Sequence, residues 1–272
     1  MDNNVPARIH VIAVLVAITA ALIARALVQV MLRETGVEHQ FAADLSYLIV
    51  PPIVLALLYP VLKANHELLR IQFTTVYINA PLVFRAVALG VLLRLCWWCH
   101  VVASVSLGLY SNDDSSPVHG LTLVFQCPPG YMLATGVFVM VFLVPIIEET
   151  IHRGFVQSYL HRLGPMVAIS TSAAAFAVFH SVESWAFAFA AGLVFGTQYW
   201  MTRSLWSSII THATINALIQ LDWHCLRGQW ILPESDLPSP ATATAAITLL
   251  VLCVGLVIIL LERMHRGEHS PR

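Results

Sequence analysis

The sequence predicts an all-α fold: a polytopic membrane bundle of about eight transmembrane helices, forming a single domain over residues 1–272. Three observations predict it. Only 11% of the residues are charged and 58% are hydrophobic, whereas a soluble domain carries about 25% charged residues to cover its water-facing surface. Apolar runs near the ~20 residues that cross a ~30 Å hydrocarbon layer recur along the chain, divided by polar or turn residues. Lys and Arg gather on alternate connections, as the retention of positive charge on the cytoplasmic side requires. The same composition excludes other classes. A formal net charge of -1 argues against an electrostatic nucleic-acid binder, which shows a strongly basic domain or stripe. Five Cys in 272 residues are too few for a disulfide scaffold.

The first span runs from about Ile9 to Leu32. Its apolar run is longer than the roughly 7 to 15 residues of a signal-peptide core, so it reads as an uncleaved helix. Leu45 to Leu62 form the second, with Pro51, Pro52 and Pro60 inside it, and Ala86 to Tyr110 the third, ended by the polar turn Ser111 to Ser116. The fourth begins after Cys127-Pro128-Pro129-Gly130, passes through Ile147 and continues as a charged tail, Glu148 to Arg162, until Gly164-Pro165 stops it. Three spans follow closely, Met166 to Val182, Trp185 to Met201 and Leu205 to about Leu221; the eighth is Ala241 to Leu261, before a polar tail. With the N-terminus inside, eight basic residues (Arg8, Lys63, Arg70, Arg162, Arg203, Arg263, Arg266, Arg272) fall on the inner side and two, Arg33 and Arg227, on the outer. That asymmetry predicts a multi-pass protein with both termini cytoplasmic. Arg25, Arg85 and Arg94 read as snorkelling or headgroup-facing side chains, and Cys96 and Cys99 as small packing residues.

Ionisable residues inside a span are costly and by default mark function. They form three clusters here: Glu148-Glu149-Thr150-Ile151-His152-Arg153-Gly154, Phe176 to His180, and His212-Ala213-Thr214-Ile215-Asn216. At 1.5 Å per residue, measured from the inner loops at Arg162 and Arg203, Glu148 lies roughly 21 Å deep, His180 roughly 22 Å, Asn216 roughly 20 Å and His212 roughly 14 Å. Three helices thus bring a carboxylate, two imidazoles and an amide to similar depth. Glu149 and Arg153 share a helical face at i, i+4 and can form an ion pair. Glu148, about 100° around the helix from Glu149, is left to face the bundle centre.

A glutamate beside a histidine in an apolar site can take a proton from water and later return it to a leaving amine. A second histidine and an amide can donate hydrogen bonds to the oxyanion of a tetrahedral intermediate. This is a peptidase constellation without a Ser or Cys nucleophile. No H-E-x-x-H zinc motif is present, since Arg70 stands where the second His of His66-Glu67-Leu68-Leu69-Arg70 would be. Zinc held by Glu148, His180 and His212 with an open fourth position is the minor alternative to a cofactor-free site. A non-enzymatic scaffold, immunity factor or small-solute carrier is the alternative from another class.

The order E-E-x-x-x-R-G, F-x-x-x-H, G-x-x-x-G, H-x-x-x-N resembles the CPBP (ABI) family, the CAAX protease and bacteriocin-processing intramembrane proteases that include the Ras-converting endopeptidases. Here it reads Glu148-Glu149 to Arg153-Gly154, Phe176 to His180, Gly192 to Gly196 and His212 to Asn216, inside a core of residues 137–218. The resemblance implies a glutamic-type intramembrane endopeptidase acting near the terminus of a membrane-associated or tagged protein, by CAAX-type, leader or C-terminal sorting-signal processing. By the same resemblance Glu148 and His180 activate the water, His212 and Asn216 stabilise the oxyanion, and Glu149 and Arg153 support the motif. Gly192 and Gly196 are expected on a helix-packing face. The residue before the motif arginine is commonly aromatic in that family and is His152 here, i+4 from Glu148, where it can hydrogen-bond that carboxylate as a modulator or face the inner aqueous side. The expected partners are a protein or peptide substrate and the lipid bilayer, with no nucleic acid.

Overall fold

The computed structural model describes residues 11–74, 78–107, 122–125, 129–180, 182–224, 226–229 and 240–268. Arg8, Arg272 and the polar turn expected at 111–116 lie outside them. The chain is a helical membrane bundle. Helix α1 is Val11–Glu34, α2 is His39–Tyr47, α3 is Val50–Ala64 and α4 is His66–Thr74. Next come α5, Ala80–Ser106, and the long α6, Gly130–Leu163. Then follow α7, Pro165–Val178, α8, Trp185–Thr202, α9, Leu205–His224, and α10, Pro240–Glu268. A short antiparallel pair, β1 (Thr122–Phe125) and β2 (Leu226–Gln229), sets Thr122 opposite Gln229 and Phe125 opposite Leu226.

Local chemistry explains the breaks. The Glu38 carboxylate accepts the Phe41 N–H at 2.8 Å and caps α2. Pro51 and Pro52 open α3, where the first turn has no need of their missing N–H groups. Gly164, at φ +86°, makes the turn between α6 and α7, a conformation glycine adopts without a steric penalty.

Five helices are long and apolar enough to cross a membrane, against about eight expected: Val16–Glu34, Phe41–Ala64, Ala80–Ser104, Gly130–Leu163 and Pro240–Met264. The remaining three expected spans are present as α7, α8 and α9, shorter or more polar. Burial explains the polarity of α9, whose Ser207, Ser208, Thr211, His212, Asn216 and Gln220 are all enclosed by protein. A helix shielded from lipid by its neighbours needs no apolar face on that side.

Two cores flank the polar centre. Val14, Ala17 and Ala21 of α1 pack with Val54, Leu58 and Val61 of α3 and with Ile151 of α6. On the other side Leu93 of α5, Phe176 and Ala177 of α7, Ala188, Ala191 and Phe195 of α8 and Ile215 of α9 form the second. Large side chains face outward from the bundle, Met166, Phe84 and Val251 among them, as expected of a surface solvated by lipid.

Candidate active site

Helix α6 carries the two glutamates on an α-helical turn, Val144–Glu149, set between two π-helical stretches, Val137–Leu143 and Thr150–Gln157. Such i→i+5 turns are rare and recur at functional sites. Pro145 gives a physical reason for the first, since a regular turn would press its ring on the carbonyl four residues back. In the wider register the Met140 carbonyl would look to residue 145 for its donor, and proline has none. Asn216 Nδ2 donates to that carbonyl at 2.7 Å instead.

Glu149 and Arg153 are fully buried. Arg153 Nη1 donates to Glu149 Oε1 at 3.1 Å and Nη2 to the Gly192 carbonyl at 3.0 Å. His212 Nδ1 donates to the same Glu149 oxygen at 3.0 Å. One carboxylate therefore fixes both the arginine and the imidazole, and sets His212 Nε2 4.0 Å from Glu148 Oε2. That gap exceeds a hydrogen bond, and a water bridging the two atoms would have to stand about 2.8 Å from each. Glu148 Oε2 is itself buried and accepts no hydrogen bond from the protein.

Two aromatic rings hold this group. Phe195 stacks on His212 with ring centroids 5.1 Å apart and an interplanar angle of 17°. The Phe176 ring meets three imidazoles, those of His180 (4.6 Å), His152 (5.4 Å) and His212 (5.5 Å). The Arg153 guanidinium lies over both rings, at 4.8 and 5.2 Å. Phe176 is visible in the sequence as the start of F-x-x-x-H. Phe195 carries no such signal inside G-x-x-x-G, although it follows Gly192, whose carbonyl holds Arg153, by three residues.

Three expectations change. Among the described residues no hydrogen bond joins His152 to Glu148, and His152 does not face the inner aqueous side. It is buried against Phe176 and Phe179, its carbonyl accepting from Ser172 Oγ at 2.8 Å. The wider turn of Thr150–Gln157 replaces the i, i+4 alignment on which that contact depended. His180 Nδ1 bonds the Phe176 carbonyl at 2.9 Å, and the imidazole nitrogen 4.0 Å from Glu148 Oε2 belongs to His212. Asn216, expected as an oxyanion donor, spends its amide on Met140. Gly192 and Gly196 lie at crossings: a Cβ on Gly192 would stand 3.0 Å from Ala173 Cα, and one on Gly196 3.0 Å from Gln157 Oε1. Gln157 Nε2 donates to the Gly196 carbonyl at 2.8 Å.

Glu148 and His152 line a cavity of about 60 Å³ bounded by Tyr47 of α2, Ala21 and Leu22 of α1 and Phe179, room for about two waters at ~30 Å³ each. Among the described residues no group of three or more His, Cys, Asp or Glu side chains could hold a metal ion. His212 Nδ1 is held by Glu149 and His180 Nδ1 by a carbonyl, which leaves Nε2 of each ring as the nitrogen that would meet a ligand.

Residues 130–218 match the family model described as type II CAAX prenyl endopeptidase Rce1-like. The segment spans α6 to most of α9 and contains every group described above except those of α1 and α2. No curated protein and no solved structure matches the chain.

Proposed function

We propose, with the Rce1-like segment at residues 130–218 as the premise, that this protein is an intramembrane endopeptidase that cleaves a membrane-associated protein near its terminus. The activity for which that family is named favours CAAX-type processing over leader or sorting-signal removal. One observation carries the mechanism: Glu148 Oε2 and His212 Nε2 face each other at 4.0 Å, with Glu148 on the wall of a small cavity from which the attacking water is drawn. Glu148 takes the proton of that water as its oxygen attacks the scissile carbonyl. The proton is held at Glu148 or His212 and returns to the leaving amine as the peptide bond breaks. Glu149 and Arg153 act by position, keeping the His212 ring turned so that Nε2 faces Glu148. His180, anchored through Nδ1, presents its other nitrogen to the substrate. Asn216 serves the oxyanion only by releasing Met140, and otherwise holds the catalytic turn of α6 in place. Apolar walls keep bulk water from the tetrahedral intermediate, which strengthens each of these contacts.

The protein sits in the bilayer as a multi-pass bundle, with both termini placed on the cytoplasmic side by the basic residues. The reading is tested by comparing membrane proteomes of cells carrying the native protein or Glu148→Gln. Loss of the general base is expected to slow the removal of a terminal segment by about 10²- to 10⁴-fold, with both proteins equally abundant in membranes. Processing that continues at the native rate in Glu148→Gln removes the endopeptidase reading and leaves a non-enzymatic scaffold or carrier.

A further inference from the structure

Two residues on the wall of the Glu148 cavity carry a buried polar atom that has no hydrogen-bond partner in the protein. Glu148 Oε2 is one and His152 Nδ1 the other, and both residues line the same space of about 60 Å³. A buried polar atom without a hydrogen bond is costly, and such atoms are nearly always met by protein or by ordered water. The His152 ring is held by packing, edge-on to Phe176 with centroids 5.4 Å apart and an interplanar angle of 85°, and tilted against Phe179 at 5.8 Å. Its backbone is pinned by the Ser172 Oγ bond to its carbonyl. None of these contacts occupies Nδ1. Among the side chains around the cavity only those of Tyr47, Glu148 and His152 carry a polar group; the others are aliphatic, apart from Phe179. A buried space takes up water when it is roomy enough and offers about two to four polar partners. This one has room for about two waters at ~30 Å³ each. Among the described residues no hydrogen bond joins His152 to Glu148 directly, and the cavity is the space they share.

We propose that His152 is a positioning residue for the nucleophile: through Nδ1 it holds a water in the cavity that also donates to Glu148 Oε2. An ionised carboxylate only accepts hydrogen bonds, whereas an imidazole nitrogen accepts or donates according to its tautomer, so one water can satisfy both atoms. Held at those two points, the water keeps an oxygen lone pair for the scissile carbonyl and is already in place when Glu148 takes its proton. His152 gains no proton in this step. The second water for which the cavity has room replaces the first after each turnover. The proposal rests on the endopeptidase reading above and adds where its water is kept and which side chain orients it.

Two variants of the full chain in phosphatidylcholine nanodiscs separate hydrogen bonding from packing. His152→Phe keeps a ring against Phe176 and Phe179 and removes the nitrogen; His152→Asn loses the ring and keeps a polar atom near the Nδ1 position. Cleavage is followed on an internally quenched farnesylated peptide ending in a CAAX sequence. His152→Phe is expected to lower kcat about tenfold, the size of one net hydrogen bond, with KM within about twofold, and His152→Asn to restore kcat to within about threefold of native. The second readout needs no turnover: the infrared band of the Glu148 carboxylate, isolated as the difference between spectra with Glu148 and with Glu148→Gln in each His152 background. It is expected to move in His152→Phe and to return in His152→Asn. A native kcat in His152→Phe, a loss carried by KM, equal losses in the two variants, or a band unmoved in His152→Phe overturns the proposal. If His152→Asn does not accumulate in membranes, kcat and the band of His152→Phe decide. A band that moves in His152→Phe while the native protein cleaves nothing rejects the endopeptidase reading and leaves the water site standing; native cleavage with an unmoved band does the reverse.

Discussion

Asn216 shows how one side chain can be claimed by two roles. Its position i+4 from His212 is legible in the sequence, and the family resemblance offers an oxyanion donor. The structure shows its amide on the Met140 carbonyl, which Pro145 leaves without a backbone donor. A residue that only meets an oxyanion would cost nothing in stability when removed. Asn216→Ala is instead expected to destabilise the protein by about 1–3 kcal/mol, the penalty of an unsatisfied buried acceptor. Pro145→Ala, which restores an N–H at position 145, is expected to absorb much of that loss, so the two changes couple in a double-mutant cycle on thermal unfolding in detergent. Strict additivity would show that Asn216 and Pro145 act independently. The Glu149–Arg153 pair is readable from its i, i+4 spacing. Its third member, His212, is unreadable, because 63 residues separate it from Glu149 and nothing local in either motif names the other. The place of Tyr47 on the wall of the Glu148 cavity is hidden for the same reason.

Helices cross where backbone comes close to backbone, and glycine marks those crossings unevenly. Gly192 and Gly196 stand out in the sequence through their four-residue spacing. Gly90 of α5 has no such pattern, yet a Cβ there would stand 2.6 Å from Thr214 Cβ and 2.8 Å from the Thr211 carbonyl of α9. The same crossing carries the bond from Thr211 Oγ1 to the Ala86 carbonyl, 3.0 Å. Gly90→Ala is therefore expected to cost about 1–3 kcal/mol by overpacking. At Gly255 of α10 an added Cβ would meet nothing within 4 Å, so Gly255→Ala is expected to bring a small gain in stability from the better helix propensity. Thermal melts of the two variants under one detergent condition compare them directly; equal losses would show that the α5–α9 crossing yields readily. Helix α4 is another element whose purpose only packing reveals. Its Gln72 Nε2 reaches the Gly154 carbonyl (3.2 Å), Ser158 Oγ (3.1 Å) and Tyr199 Oη (2.8 Å), tying α4 to α6 and α8 just below the glutamates.

For the molecule as a whole, the distribution of basic side chains predicts an orientation in the bilayer. Lys63 and Arg33 are both exposed and lie at opposite ends of the α1–α3 hairpin. In a cysteine-free background, Arg33→Cys is expected to react with a membrane-impermeant thiol reagent in intact cells, and Lys63→Cys only after permeabilisation. The reverse pattern would invert the topology and place both termini outside. By itself the sequence determined that the chain is a helical membrane protein, and it set out the four motifs proposed to carry the chemistry. Low charge, apolar run length and short-range spacing are properties of consecutive residues and need no partner to be read. Only the tertiary structure decided which motif groups meet, that a His212 nitrogen stands 4.0 Å from a Glu148 oxygen, that the Asn216 amide bonds the Met140 carbonyl, and that α1 and α2 line the Glu148 cavity, Tyr47 among its walls. Those outcomes depend on how α6, widened by π turns around Pro145, is rotated against α7, α8 and α9, and the rotation of one helix against another is set by packing across the whole bundle.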